Sequence, residues 1–464
     1  MPLPSRRAFL QTAALAGAGT LIGGCRASSS RLRDVVVIGA GMAGLAAARD
    51  LARAGLDVVV LEARERVGGR MQSLSEPAPH GIEVGAQMIH GTRAPTWELI
   101  REFGVDTRPL TGLSWGRVHW VPGRGFVTPD PERAQAAARR LHQAYAEYRG
   151  EDVTFQAFAD SLKLGEEEQR MLAYYWNSWS AEADEMSLRS CMEDTPAWEA
   201  YLDMNYQVIG GYSTLAGRMA EGLGERVQLS SVVEGIAWER GGVDVAYARQ
   251  GSAQKLRARR ALVTLPIGVL RTGRPAFSPL LPAWKSKAIE SLQMGRVVVL
   301  HFLFDDWFWR QPKPGVGGWS SNATRVSFMD PHPEGKGMPV LHGWISGRSA
   351  QELSDLGPEA GTRRALAWIE EAFPRSRAAQ RVQWSSMRDW VRDPFTLGSY
   401  SFAKPGGWGQ RALLATPIQA TLHFAGEATE PPPHYQTVHG AYVSGRRAAR
   451  EILSDLGLEI SPRT

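Results

Sequence analysis

The chain has 464 residues, 43% of them hydrophobic and 22% charged, with a formal net charge of +5. That is long enough for two or three domain-sized units and ordinary for a globular protein. The basic residues are scattered without a run, which excludes a nucleic-acid footprint, and two cysteines, Cys25 and Cys191, exclude a disulfide framework.

Residues 1–30 read as a targeting segment. Arg6 and Arg7 precede Phe9, Leu10 and a Gly/Ala-rich apolar stretch, which resembles a twin-arginine signal. That route exports folded proteins, so a periplasmic or cell-envelope location is expected. The segment ends in Ile22, Gly23, Gly24 and Cys25, which resembles a lipobox with Cys25 as the lipidated residue and membrane anchor; cleavage nearby without lipidation is the alternative. Beyond it no apolar window of about 18 residues occurs, so no internal membrane span is expected.

Val35 to Ile38 is a continuous apolar run, read as a buried parallel strand, followed by a helix over 42–54 and a second buried strand over 58–61. Helical patterns follow over 131–148, 155–162, 166–179 and 215–221. Strand patterns run through 227–238, 243–248, 261–265 and 297–304, then a helix over 360–373. The last unit is a strand over 421–424, a Gly/Pro-rich loop and a helix over 440–456. Two blocks read as helix-rich, 96–206 and 276–385, interrupt the α/β segments. The organisation expected is an α/β fold. A Rossmann-type nucleotide domain is assembled from three segments, 33–95, 207–275 and 386–458, and interleaved with an α+β substrate domain.

Gly39, Gly41 and Gly44 form G-x-G-x-x-G between the first strand and its helix. The first permits a tight turn, the second lets backbone approach a pyrophosphate, and the third lets helix pack on strand. Glu62 ends the second strand, where a carboxylate can accept both hydroxyls of a ribose. This says dinucleotide without separating NAD from FAD. The continuation does more: Arg64, then Gly68, Gly69 and Arg70, put further N–H groups and cations near a pyrophosphate, which suits a permanently held FAD.

These stretches resemble the opening of the flavin-containing amine oxidases, the group of monoamine oxidases, polyamine oxidases and the flavin histone demethylase. "IEVGAQMIHG" is similar to a second motif of that family and is closest to the polyamine oxidases. "VIGGYSTLAGRMAEGL", "RDWVRDPFTLGSYSFAKPG" and "HFAGEATEPPPHYQTVHGAYVSGRRAARE" extend the likeness to residue 456. The resemblance implies FAD as cofactor and a small-molecule amine as substrate. The amine's C–N bond is oxidised by hydride transfer to flavin N5, and O2 or another acceptor takes the electrons. It further implies an adenine contact from the backbone of Val233, Trp390 packed near the flavin, Gly426 and Glu427 at the ribityl or phosphate region, and the backbone of Thr437 and Val438 at the flavin N1–C2=O edge. Tyr400 matches one wall of an aromatic cage whose opposite wall falls at Thr437. His90 matches the polyamine-oxidase histidine.

One departure matters. The family usually has a lysine that reaches flavin N5 through a water, and register with Gly295, Phe308 and Trp309 puts Val299 there. Valine cannot hold that water, which opens the question of the electron acceptor. Neither Lys285 nor Lys287 can substitute without a large register shift. Glu182, Asp184, Glu185 and Asp203 lie in the first intervening block and read as solvated faces. The chemistry needs no metal, and neither HExxH nor CxxC occurs. The alternatives are an FAD-dependent C–C desaturase, against which Tyr400 and "TVHGA" argue, and a flavoprotein binding module without amine turnover. An NAD dehydrogenase is disfavoured by the Gly68-Gly69-Arg70 and Gly426-Glu427 elements.

Overall fold

In the computed structural model, residues 31–458 are described apart from 78–80, 111–117, 129, 166–167, 170–171, 173–179, 202, 311–317, 322–325 and 332–336. The expected targeting segment with Cys25 and most of the helix expected over 166–179 lie outside the described residues.

The apolar run of the first strand does what its composition demands. Strand β1 (Arg33–Ile38) leads through helix α1 (Met42–Arg53) to β2 (Val58–Leu61). Chain order then gives β3 (Val227–Gln228), β4 (Ser231–Glu239), β5 (Gly242–Arg249), β6 (Ser252–Val263) and β7 (Ala276–Ser278). These form one sheet in the order β3-β2-β1-β6-β5-β4-β7, and the Leu422–Phe424 strand adds to β6. β3, β2, β1, β6 and Leu422–Phe424 pair parallel, whereas β4, β5 and the first half of β6 form an antiparallel meander. The 12-residue β6 therefore serves two partnerships, and only its last part matches the short strand the sequence suggests.

Parallel strands need both faces covered. On one face Val35, Val37, Val58 and Val60 meet Leu45, Leu51, Ala448 and Ile452 of α1 and of α2 (Val438–Asp455). Small residues allow the two helices to touch: a Cβ on Gly445 would lie 2.1 Å from the carbonyl oxygen of Ala43. On the other face Val36, Ile38, Val59 and Leu61 pack with Ile289, Leu292 and Leu414.

Residues 276–385 are not the helix-rich block their sequence suggests. They supply β8 (Val297–Leu303), β9 (Gly318–Ser321), β10 (Val326–Met329) and β11 (Val340–Ser346), which join β12 (Trp384–Asp389) in a second sheet ordered β12-β8-β11-β10-β9. The His119–Val121 and Gly125–Val127 strands extend it. Four-residue strands between Gly/Pro-rich loops carry too few positions for a periodicity to register, whereas the long Gly347–Ala372 helix dominates the pattern. That helix is kinked at Gly357, with φ of 78°, ahead of Pro358, which is why only its second half was legible. Two strands fall in the sheet opposite to the segment expected to hold them: β7 pairs with β4, and β12 pairs with β8. A third, small sheet sets Ile89–His90 and Thr107–Pro109 on either side of Asn205–Val208.

Candidate active site

The three glycines of the β1–α1 turn divide their roles by what surrounds them. Gly39 has φ of +106°, and a Cβ there would lie 2.7 Å from Thr264 Oγ1. A Cβ on Gly44 would lie 2.0 Å from the carbonyl oxygen of Gly39, so helix and strand could not close. A Cβ on Gly41 would meet nothing within 4 Å. Its glycine leaves open space at the start of α1, whose first N–H groups have no side-chain cap. Uncapped N–H groups and the positive helix end make an anion site. Gly68 and Gly69, both at positive φ, fold the second loop onto the first: the Gly68 N–H donates to Ala40 O at 2.9 Å.

Glu62 is buried, and its two oxygens accept from the N–H groups of Ala40 at 2.7 Å and Arg64 at 2.9 Å. Burial raises its pKa, and those N–H groups with Arg64 and Arg66 offset this only in part. Each oxygen keeps a lone pair for a hydroxyl. β4 carries a bulge between Val233 and Gly235, which breaks the ladder beside the half-buried Val233.

The two arginines of the second loop go different ways. Arg64, expected at the cofactor, makes a bidentate pair with Asp393 at 3.0 and 2.5 Å, and Arg388 joins the same carboxylate at 2.5 Å. Burial would raise the Asp393 pKa, but the two guanidinium groups hold it below the usual range. Arg70 lines a small crevice with Thr264, Gly426 and Glu427, at the C-terminal ends of the parallel strands β6 and Leu422–Phe424. A crevice there is where open α/β sheets bind ligands. Arg70 donates to Glu427 at 2.9 Å, and Glu427 also accepts from Ser401 Oγ at 2.7 Å, the Ser401 N–H at 3.2 Å and the Gln436 N–H at 3.1 Å. Burial would raise the pKa of Glu427; Arg70 and Arg411 outweigh it and hold the carboxyl below its ordinary range. Gly426, with φ of +132°, faces open space.

At the start of α2, Thr437 is the N-cap. Its hydroxyl accepts from the Gly440 N–H at 2.8 Å and donates to His434 O at 2.5 Å. Both directions of the hydroxyl are thus used within the chain, which a cage wall would not require. Val438 is the first helical residue.

Trp390 is buried, donates from Nε1 to Val84 O at 2.7 Å, and carries the Arg388 guanidinium 4.2 Å above its ring. It packs against Val297, Val299 and Trp344. Val299 is wholly buried. Lys285 cannot reach it: its ammonium donates to the carbonyls of Leu413, Leu414 and Thr416 at 2.9, 2.7 and 2.6 Å, at the end of the Gln410–Ala415 helix. Tyr400 is fixed through its hydroxyl, 2.5 Å from Ser180 Oγ.

His90 meets Asn205 Oδ1 through Nδ1 at 2.9 Å, and burial lowers its pKa. Beside it lies a group that sequence reasoning missed. The rings of Tyr201, His434 and His439 lie 5.2 to 5.4 Å apart, and Tyr201 Oη, His434 Nδ1 and His439 Nε2 are buried without a hydrogen-bond partner among the described residues. Burial, then the neighbouring His90 and His434, push His439 down to about 2. Both histidines stand in "HYQTVHGA", but no spacing rule ties them to His90 or Tyr201. The four carboxylates that the sequence offers in the first intervening block for a second ammonium each have a partner. Glu182 accepts the Arg348 N–H at 2.6 Å, Asp184 pairs with Arg348 at 2.5 Å, Glu185 with Arg296 at 2.5 Å, and Asp203 accepts the Thr92 N–H at 2.8 Å.

Residues 42–453 match the description "flavin containing amine oxidoreductase". Human lysine-specific histone demethylase 2 is 29% identical over 454 residues, covering 90% of this chain and 53% of that protein. Polyamine oxidase 4 of Oryza sativa subsp. japonica is 29% identical over 458 residues, covering 90% of this chain and 88% of that protein. The chain thus spans about half the length of the demethylase it matches and most of the polyamine oxidase. A putrescine oxidase with putrescine bound has a TM-score of 0.77 at 23% identity, over 91% of this chain and 99% of that one. The cyclohexylamine oxidase from Brevibacterium oxydans IH-35A has a TM-score of 0.76 at 22% identity, over 92% of this chain and 99% of that one. At these identities the two structures speak to the fold, which they share with this chain.

Proposed function

Because the chain belongs to the family of flavin containing amine oxidoreductases, we propose that it holds FAD in the glycine cradle and oxidises the C–N bond of a primary or secondary amine to an imine. The observation that carries this reading is continuity. The cradle and the second sheet meet through Arg70, whose carbonyl accepts the Ala86 N–H at 3.0 Å, and through Val84, whose carbonyl holds Trp390. Bound FAD supplies the hydride acceptor, so no nucleophile or metal is required of the protein.

The residues then divide the work. Gly41, the α1 N-terminus and Arg70 receive the pyrophosphate, and Glu62 receives the ribose hydroxyls. Glu427 keeps Arg70 in place. The N-terminus of α2 presents its positive end to charge that develops on reduction. Trp390 and Tyr400 bound the space for the amine, with Tyr400 oriented by Ser180. His90, neutral through burial, can accept from an N–H of the substrate. With Glu182, Asp184, Glu185 and Asp203 engaged elsewhere, the substrate favoured is an amine without a second cation.

Buried Val299 supports an electron acceptor other than O2. Export by the twin-arginine route and anchoring through lipidated Cys25 belong to the same proposal, supported by Arg6-Arg7 and the residues before Cys25.

Purified protein should be yellow, and anaerobic mixing with a panel of amines should bleach the flavin. A flavin-loaded protein that no amine bleaches would overturn the reading and favour desaturation or binding without turnover. Peroxide detection in air tests the acceptor. Replacing Arg6 and Arg7 by lysine should retain the protein in the cytoplasm, and Cys25→Ala should release it from membranes.

A further inference from the structure

The second sheet has two unlike faces. Successive side chains of a strand alternate, and directly opposed residues of antiparallel strands share a face. One face is apolar: Val298, Leu300, Phe302, Phe328, Leu341 and Ile345 pack on the Gly347–Ala372 helix. The other carries Val297, Val299 and His301 of β8, opposed by Trp344 and His342 of β11 and by Arg388 and Ser386 of β12. This is the face that touches Trp390. Two imidazoles stand here in the middle of the sheet, His301 2% and His342 1% exposed.

They form a chain. His342 Nδ1 and His301 Nε2 share a hydrogen bond of 2.8 Å, and His301 Nδ1 lies 3.5 Å from Ser386 Oγ on a partly exposed strand. At the other end His342 Nε2 is buried and has no hydrogen-bond partner among the described residues. An orphan nitrogen of this kind carries a desolvation cost unless something outside the protein meets it. His301 lies two residues from Val299, about 7 Å along the strand. The His342 ring is 6.4 Å from that of Trp344, which packs on the Val299–Trp390 cluster.

The charged groups facing the pair are few. β12 brings Arg388, already held by Asp393; β10 brings Ser327 and Met329; β8 and β11 bring Val299, Leu303, Val340 and Trp344. Among these opposed strand residues no carboxylate faces the pair to stabilise an imidazolium. Burial keeps both rings neutral, with His342 pushed down to about 3. Such a pair passes a proton without storing it.

We propose that His342, His301 and Ser386 form the route by which the proton of an incoming ammonium leaves the site, with His342 Nε2 receiving it. This rests on the amine-oxidation reading, since an ammonium has no lone pair with which to form an imine. The transfer balances: Nε2 of His342 gains the proton, Nδ1 of His342 gives its own to Nε2 of His301, and Nδ1 of His301 gives its own to Ser386 and solvent. One proton enters, one leaves, and both rings exchange tautomers. His342 is the catalytic residue of this step, since it meets the ammonium, and His301 and Ser386 act through it; the hydride step is left to the cofactor.

The test compares wild type with His342→Phe and His342→Gln, the latter filling similar space with an amide that cannot relay. At pH 7 kcat/KM for an alkyl amine should fall by roughly 10²-fold, and near pH 10, where free base is abundant, it should approach wild type. Stopped-flow mixing of the flavin-loaded protein with tert-butylamine, which has no α-hydrogen to lose, should show proton release to a dye that is fast in wild type and slow in both variants. Added imidazole should restore the rate in His342→Gly. An equal loss at both pH values, or wild-type proton release in either variant, would overturn the proposal. If no amine bleaches wild-type flavin, the amine-oxidation reading itself has failed, which is a different result.

Discussion

Glu427→Gln tests how the cofactor pocket is held together. The carboxylate takes four donors and faces two guanidinium groups, Arg70 and Arg411. Arg411 is itself buried, donating to Ser401 and Ala428 O and lying 4.1 Å over Tyr435. Glutamine keeps the volume and one acceptor but turns an NH2 toward N–H or O–H donors and removes the charge. Breaking a buried pair costs about 3–5 kcal/mol, and with one acceptor retained we expect about 3 kcal/mol. At about 2.1 cal/mol/K per residue, a chain of this size has an unfolding entropy near 1 kcal/mol/K, so the melting point should fall by about 3 °C. The folded pKa of Glu427 is depressed, so its contribution is full above the unfolded value of about 4.3 and is lost as pH falls through the folded one. The deficit of the variant should therefore be constant from pH 8 to 5 and shrink below about pH 4. Thermal melts of the flavin-free protein across that range measure it. A variant within about 0.5 kcal/mol of wild type at pH 7, or a deficit that persists at acid pH, would refute the hub.

The glycines separate folding from binding. Gly41→Ala should leave the stability of the flavin-free protein within about 0.5 kcal/mol of wild type yet weaken flavin retention on gel filtration, because its Cβ meets no protein atom. Gly44→Ala should destabilise the protein before any cofactor is added, because its Cβ would lie 2.0 Å from Gly39 O. At Thr437, serine should be nearly neutral and alanine should cost about 1 kcal/mol in thermal melts, as for a helix N-cap; a larger effect of both on amine oxidation than on stability would support the cage-wall role. Val299→Lys should raise the rate of reoxidation in air by up to about 10²-fold, the worth of one preorganised charge, while lowering the melting point; an unchanged rate would count against the reading of Val299.

The β1–α1–β2 unit was legible because its causes are local. Four consecutive apolar residues demand a buried strand, three glycines at fixed spacing demand a turn, and an acid at the next strand end faces the same turn. The meander and second sheet were less so. β6 looks short because its first half is polar and exposed, and β9 and β10 are too brief to show a period. Arg64 and Arg70 shared one expectation, and the sequence offers nothing to separate them, since their partners Asp393 and Glu427 lie 329 and 357 residues away. The engaged carboxylates and the Tyr201–His434–His439 group were hidden for the same reason.

The sequence by itself therefore determined the glycine turn between β1 and α1 and the acid at the end of β2, because these rest on residues whose spacing along the chain is their spacing in the fold, while FAD and the lysine position at Val299 were legible through the family resemblance. Only the tertiary structure decided that Arg64 braces Asp393, that Thr437 caps α2, and that His301 and His342 share the face of Val299. Those outcomes depend on sheet register and on which distant strand a side chain meets, and a hydrogen bond between residues 301 and 342 leaves no trace in the residues between them.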